Sequence, residues 1–370
     1  MTQTATQAQT QTRAPADPFA RPVSRRPHWR WQHYMAVVAV IYLAWEAWTL
    51  VAWLAAGPYQ VTAFRDSGSL AFRAARVYEG IAILMGIGVG SFVVRQVRRE
   101  RRLTFDAMMC IAGALVYWQD PLANFYQSIF TYSSNWVNLV NWCSKMPLVA
   151  NPDCGRTVEP VLFLGLFYSF GFLFAALIGG WVMRTVRARW PEISRGRMLV
   201  VIGVIGMLFD MALEIPMVNL QLWAYPGYPN FIGSPQHRYP LFVMVGAFYF
   251  FGGLTVMRNF KNDKGQTVFE RGLDHLRPGR RTALVLLSVI GSVQLFVTTT
   301  NMAFMMAAGP FADPSPNLPA HVINGFCDQS GFEHTRYGPC PGTPGYRAPV
   351  RHLPGEGPPG GARPEDFYTR

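Results

Sequence analysis

The sequence predicts an all-α fold, a polytopic integral membrane bundle of about seven transmembrane helices, and three observations carry that prediction. Apolar windows recur at about 35–56, 76–94, 103–118, 159–182, 197–215, 239–256 and 282–303. Each is near the length that crosses about 30 Å of hydrocarbon. Most of the 33 Lys and Arg residues fall in alternate gaps between these windows. Several windows also carry carboxylates at depths where an ionisable group costs roughly 2.5 to 3.5 kcal/mol, so those groups are expected to face the bundle interior.

Residues 1–34 read as a disordered basic cytoplasmic tail. They are rich in Gln, Thr, Ala and Pro, then in Arg, and have no apolar core before Met35 that would make a signal peptide. In the first window Glu46 lies near mid-span, with Tyr42 and Trp53 on the same helical stripe. It is expected to face inward or to pair with Arg73 or Arg76. Tyr78 and Glu79 stand near the start of the second window. Arg95, Arg98, Arg99, Arg101 and Arg102 separate it from the third.

The third window runs into LVYWQDPLANFYQSIFTYSSNWVNLVNW, a polar and aromatic series with almost no charge. Tyr117, Trp118, Gln119, Asn124, Tyr132 and Asn135 suit a semi-buried cap that hydrogen-bonds a weakly polar ligand while aromatic faces supply apolar contact. An interfacial aromatic belt accounts for the Trp and Tyr but not for Asp120 beside Asn124. The fourth window opens TVEPVLFLGLFYSF, so Glu159 and Pro160 stand at a helix N-terminus, where the helix dipole favours a carboxylate. Capping and catalysis both fit Glu159.

The fifth window carries the sharpest signal, in FDMALEIPM. Asp210 and Glu214 are four residues apart and therefore share one helical face. Two carboxylates this close in a low-dielectric site repel, so one of them is expected to hold a proton, giving an acid and a base in one place. A structural alternative has Asp210 bonding a neighbouring helix while Glu214 reaches interfacial water. His237 and Arg238, before the sixth window, receive no role.

The positive-inside rule places the N-terminus in the cytoplasm and the C-terminus outside a cell membrane that the chain crosses several times. On that assignment 35–303 is the membrane-embedded catalytic domain and 304–340 an extracytoplasmic segment. The Pro/Gly-rich 341–370 is a disordered tail. Cys143, Cys154, Cys327 and Cys340 then share the outer face and can form one or two disulfides; four unpaired thiols is the alternative. The net charge of +12 does not indicate nucleic acid, because it resides in the loops between spans. No Lys occurs in any window, which excludes a retinal Schiff base. The chain lacks DDxxD, so diphosphate ionisation is disfavoured; it also lacks DxDD, the usual protonating motif of soluble cyclases, which leaves proton-initiated cyclisation to Asp210 and Glu214.

WQDPLANF with the following FTYSSNWVNL, the EP opening of the fourth window and the DMALE segment together resemble the AveC-like spirocyclases, membrane proteins of actinobacterial polyketide pathways. The resemblance covers roughly residues 35–330. It implies spiroketal closure in secondary metabolism on a lipophilic small-molecule substrate, with no cofactor, no metal and the bilayer as the other partner. Asp210, Glu214, Asp120 and Glu159 are the candidate catalytic carboxylates. Glu46, Tyr117, Trp118, Gln119, Asn124, Tyr132 and Asn135 are the candidate substrate-binding residues. Two rivals remain on the residues alone: a membrane terpene cyclase that protonates a polyene, and a non-enzymatic seven-helix carrier or receptor.

Overall fold

An apolar segment in lipid can satisfy its backbone only by coiling on itself, and the computed structural model bears this out. It describes residues 30–57, 67–126, 129–151, 154–155, 157–226, 228–308 and 318–323. The first 29 residues, Cys327, Cys340 and the segment 341–370 lie outside the described residues. The main helices are α1 (Trp31–Ala56), α2 (Leu70–Glu100), α3 (Phe105–Val116), α4 (Val161–Arg189), α5 (Arg195–Asn219), α6 (Leu241–Asn259) and α7 (Pro278–Ala308). Six of these seven are long and apolar enough to cross a membrane.

The exception is α3. Its 12 residues cover only about 18 Å. The third window therefore does not continue as an α-helix but tightens into a 3-10 helix, Tyr117–Asn124, with Pro121 inside it. A proline ring cannot join the α-helical ladder. Helix α3 is wrapped by others, with Ala107, Met109, Ala112 and Val116 all buried. The spanning helices run past the apolar windows because arginines at their ends stay helical and carry their charge outward. Arg98 and Arg99 close α2, and Arg187 and Arg189 close α4, where cations complement the helix dipole.

Small residues set the closest packing. A Cβ at Gly291 of α7 would strike the Met35 carbonyl of α1, so these two backbones meet directly beside fully buried Ala39. The opposite face of α1 presents Val40, Ile41, Trp48 and Val51, as a lipid-facing surface should.

All the basic loops gather at one end of the bundle and a small folded cap at the other. Three two-stranded antiparallel ladders build the cap: β1 (Thr131–Tyr132) with β4 (Trp223–Ala224), β2 (Leu139–Val140) with β3 (Val158–Glu159), and β5 (Phe231–Ile232) with β6 (Tyr239–Pro240). Trp136 is its hub: fully buried, stacked 4.8 Å from Phe163 and donating to the Leu222 carbonyl at 2.8 Å. Glu79 of α2 anchors the cap from below by accepting the Val137 amide at 2.7 Å while pairing with Arg76 at 3.0 Å. Cys143 and Cys154 form a disulfide across the turn between β2 and β3, and Cys110 in α3 is free. The segment 318–323 returns to this cap, where the His321 carbonyl accepts the Ser134 amide at 2.7 Å.

At the basic end Arg258 clamps Asp106 with two hydrogen bonds of 2.8 Å, joining the end of α6 to the first turn of α3.

Candidate functional site

Under the cap lies a cavity of about 400 Å³, walled by α2, α4, α5, α6, α7, the 3-10 helix and strands β1 and β4. Three carboxylates, drawn from two pairs, line it.

The first pair is assembled from distant segments. Asp120 sits in the 3-10 helix and accepts hydroxyls from Tyr132 of β1 and Tyr168 of α4, each at 2.7 Å. Tyr168 reaches it because α4 carries a π-helical turn, Phe167–Gly171, which advances the side chains relative to a regular helix. That turn lies so close to α3 that a Cβ at Gly113 would strike the Tyr168 carbonyl. Glu159 of β3 lies against Asp120 and Tyr117, behind the wall of the cavity rather than on it. Burial pushes the Glu159 carboxyl well above the usual carboxylate range, and the neighbouring Asp120 adds to the shift. Burial also raises Asp120, but its two tyrosine donors oppose this by stabilising the ionised form. Within this pair the environment thus favours the proton on Glu159 and the negative charge on Asp120. One oxygen of Glu159 has no hydrogen-bond partner, which fits a neutral acid.

The second pair is local. Asp210 and Glu214 stand one turn apart on α5, within interaction range of each other, and both line the cavity. Tyr239 of β6 donates to Asp210 at 2.7 Å, and Tyr225 donates to Glu214.

An aromatic wall joins the pairs. Tyr132 faces Trp223 across the β1–β4 ladder with ring centroids 5.9 Å apart. Phe130 contacts both Tyr132, at 4.5 Å, and Tyr225, at 4.9 Å. Most of the remaining lining is Phe, Leu, Ala and Met.

Of the candidate residues, Asp120, Asp210, Glu214 and Tyr132 reach the cavity surface. The others do not. Gln119 is fully buried and spends its amide on α7, donating to the Gln294 carbonyl at 3.2 Å and accepting from Thr298 at 2.8 Å. Trp118 donates to Gln294 at 3.1 Å. Asn124 folds the turn that follows it, bonding the Ile129 and Phe130 amides and the Phe130 carbonyl at 2.8–3.0 Å. Asn135 is buried in the cap, with its carbonyl taken by Arg76. Tyr117 packs on Trp142 and Tyr168 behind Asp120. Glu46 is half-buried on α1, away from the cavity, and the expected pairing with Arg76 does not occur because Arg76 is held by Glu79. Tyr168, Tyr225 and Tyr239 escape a reading of sequence. A tyrosine in or beside an apolar span carries a hydroxyl that needs a partner, and that signal alone points to them.

Asn301 of α7 also lines the cavity, anchored by donation to the Gln119 carbonyl at 3.1 Å. No group of three or more His, Cys, Asp and Glu side chains that could hold a metal comes together among the described residues.

Residues 100–322 match the family model described as Spirocyclase AveC-like, a match spanning α3 to the last described segment. No curated protein and no solved structure matches the chain.

Proposed function

From the premise that the chain belongs to the AveC-like spirocyclase family, a membrane cyclase family of secondary metabolism, we propose that it closes a spiroketal by acid–base catalysis in the cavity beneath the cap. The observation that carries this reading is the meeting of Asp120 with the Asp210–Glu214 pair on one largely apolar, aromatic wall.

Spiroketal closure from a keto-diol proceeds through a hemiketal. The hemiketal hydroxyl takes a proton and its C–O bond breaks, releasing water and leaving an oxocarbenium ion. The second hydroxyl then forms a new C–O bond to that carbon and gives up its proton. One proton must be delivered and one collected. The Asp210–Glu214 pair, both members lining the cavity and close enough to share a proton, is the donor to the departing hydroxyl. Asp120, whose anionic form the Tyr132 and Tyr168 hydroxyls stabilise, offsets the charge of the cation and collects the proton of the attacking hydroxyl. Glu159 positions Asp120 and holds the proton of that pair. The rings of Phe130 and Trp223 add cation-stabilising π faces. The partition of basic loops supports an orientation with the basic end in the cytoplasm and the cap outside.

The test is conversion of a synthetic long-chain keto-diol in proteoliposomes, comparing wild type with Asp210→Asn/Glu214→Gln. Spiroketal from the wild type and unchanged keto-diol from the variant is the expected result. The same aromatic wall would suit a proton-initiated terpene cyclase; a polyene cyclised in place of the keto-diol would establish that reading instead. Inertness of the folded wild type toward both would overturn cyclisation and favour a carrier.

A further inference from the structure

We propose that the cavity opens sideways into the bilayer, through a mouth between α5 and the packed α2–α4 pair, and that it is loaded by a membrane-dissolved amphiphile: a long apolar molecule bearing hydroxyl or ketone groups. The route stands on the shape of the bundle. Only the identity of the amphiphile as substrate rests on the cyclase reading.

Three residues define the mouth, because each lines the cavity and is more than a third exposed, unlike the rest of the lining. Ile81 of α2 is 54% exposed, Phe174 of α4 is 38% and Phe209 of α5 is 37%. Such exposure of a large apolar lining side chain marks the place where the wall opens. Counting along each helix from its cap end at about 1.5 Å per residue, all three lie roughly 15 to 20 Å down. That depth is inside the hydrocarbon of a bilayer whose apolar core is about 30 Å thick. The surface around the mouth is apolar as well: Val77 and Leu84 on α2, Trp181 on α4, and Ile205 and Leu208 on α5 all face outward. What borders the opening is lipid.

Three other approaches are closed. At the basic end α4 and α5 are pinned by a buried cluster of Val182, Met183, Val186, Met198 and Ile202. Between α5 and α6, Gly203 and Gly206 lie so near Phe248 and Phe251 that no Cβ would fit. On the cap side, Thr131 through Asn135 and Trp223 through Tyr225 are all buried. The polar end of the cavity is thus the blind end and the apolar end is the open one. An amphiphile entering from lipid would bring its oxygens to Asp120, Asp210 and Glu214 and leave its chain toward the mouth. A volume of about 400 Å³ accommodates a drug-sized segment, so the remainder of a larger substrate can stay in the bilayer.

The experiment is photolabelling of the full chain in proteoliposomes with a long-chain keto-diol carrying a diazirine, followed by mapping of the adducts. Labels are expected at Ile81, Phe174 and Phe209 and on the inner wall at Phe167 and Leu213. Narrowing the mouth with Ile81→Trp/Phe174→Trp should reduce inner-wall labelling severalfold while labelling of Leu84 and Trp181 on the outer surface stays constant. Labels entering through the cap segments 131–146 or 223–240 would overturn the proposal. So would inner-wall labelling indifferent to the narrowed mouth, or a co-purifying phospholipid chain that the probe does not displace. Labelling needs no turnover and is repeated on Asp210→Asn/Glu214→Gln. A labelled mouth without cyclisation in the wild type overturns the chemistry and leaves the route; cyclisation with labels at the cap does the reverse.

Discussion

The two carboxylate pairs around the cavity are built in opposite ways. Asp210 and Glu214 are neighbours on one turn of α5, both open to the cavity, each with one tyrosine donor. Asp120 and Glu159 come from a 3-10 helix and a cap strand; only Asp120 shows itself to the cavity, and it holds two tyrosine donors. The difference has a chemical consequence. A pair that presents both members to the substrate can present its proton. A pair that hides one member stores its proton behind the wall and presents an anion. Asymmetry between two similar sites is how carboxylates in one enzyme come to act as acid and base.

The largest expected effect tests that division directly. Asp120→Asn and Glu214→Gln should each lower the rate of keto-diol closure by about 10²- to 10⁴-fold. A loss confined to the α5 variants would leave the cap-borne pair without a chemical role. The pH profile sharpens the point. Because burial and Asp120 hold the Glu159 proton above the usual carboxylate range, that proton persists to higher pH than on an ordinary carboxyl and is lost as pH rises through the elevated value. The wild-type rate should therefore fall on the alkaline side, and Glu159→Gln, which cannot ionise, should lack that fall while turning over more slowly.

The next effect separates the pairs through stability. Strand β3, which carries Glu159, is tied to β2 by the Cys143–Cys154 disulfide and by Asn141, which bonds the Cys154 carbonyl at 2.9 Å. The bond closes a loop of sequence separation 11, so the Cys143→Ser/Cys154→Ser variant should lose about 3 kcal/mol on the chain-entropy account. Thermal unfolding in detergent measures it. Any loss of turnover at temperatures where this variant is folded should mimic Glu159→Gln, with Asp210 and Glu214 unaffected.

The smallest effects come from single hydroxyls. Tyr168→Phe and Tyr239→Phe each remove one hydrogen bond, worth about 0.5 to 1.5 kcal/mol, or roughly two- to tenfold in rate. Tyr168→Phe should also make Asp120 easier to protonate and raise the acidic limb of the pH profile, a change that Tyr239→Phe should not reproduce.

The two pairs also differ in how readable they were. FDMALE states its geometry outright, since a spacing of four on a helix puts two side chains on one face. Asp120 and Glu159 were visible as ionisable groups at window edges, yet nothing local says that they meet. Their meeting needs the 3-10 turn around Pro121, the π turn that swings Tyr168 inward, and the β2–β3 ladder. The polar series around Asp120 misleads in a specific way. Gln119 and Asn124 look like ligand contacts because they are polar and uncharged, but buried polar groups must be satisfied first, and these two amides are spent on α7 and on the turn after the 3-10 helix, while Asn135 is buried within the cap. Glu46 stands on the peripheral helix α1, away from the cavity, which its mid-span position could not reveal.

By itself the sequence determined the helical membrane bundle, the gathering of basic loops at one end and the acidic pair on α5. These follow from hydrophobic length, charge partition and helical period, all properties of contiguous residues. The tertiary structure alone decided that the third apolar segment stops after three turns, and that tyrosines from β1, α4, β6 and the loop after β4 divide themselves between the two carboxylate pairs. It also decided that the cavity opens at the depth of the lipid tails. Those features arise from packing between segments far apart in the chain, where a buried polar group takes whichever partner the fold brings within hydrogen-bonding reach.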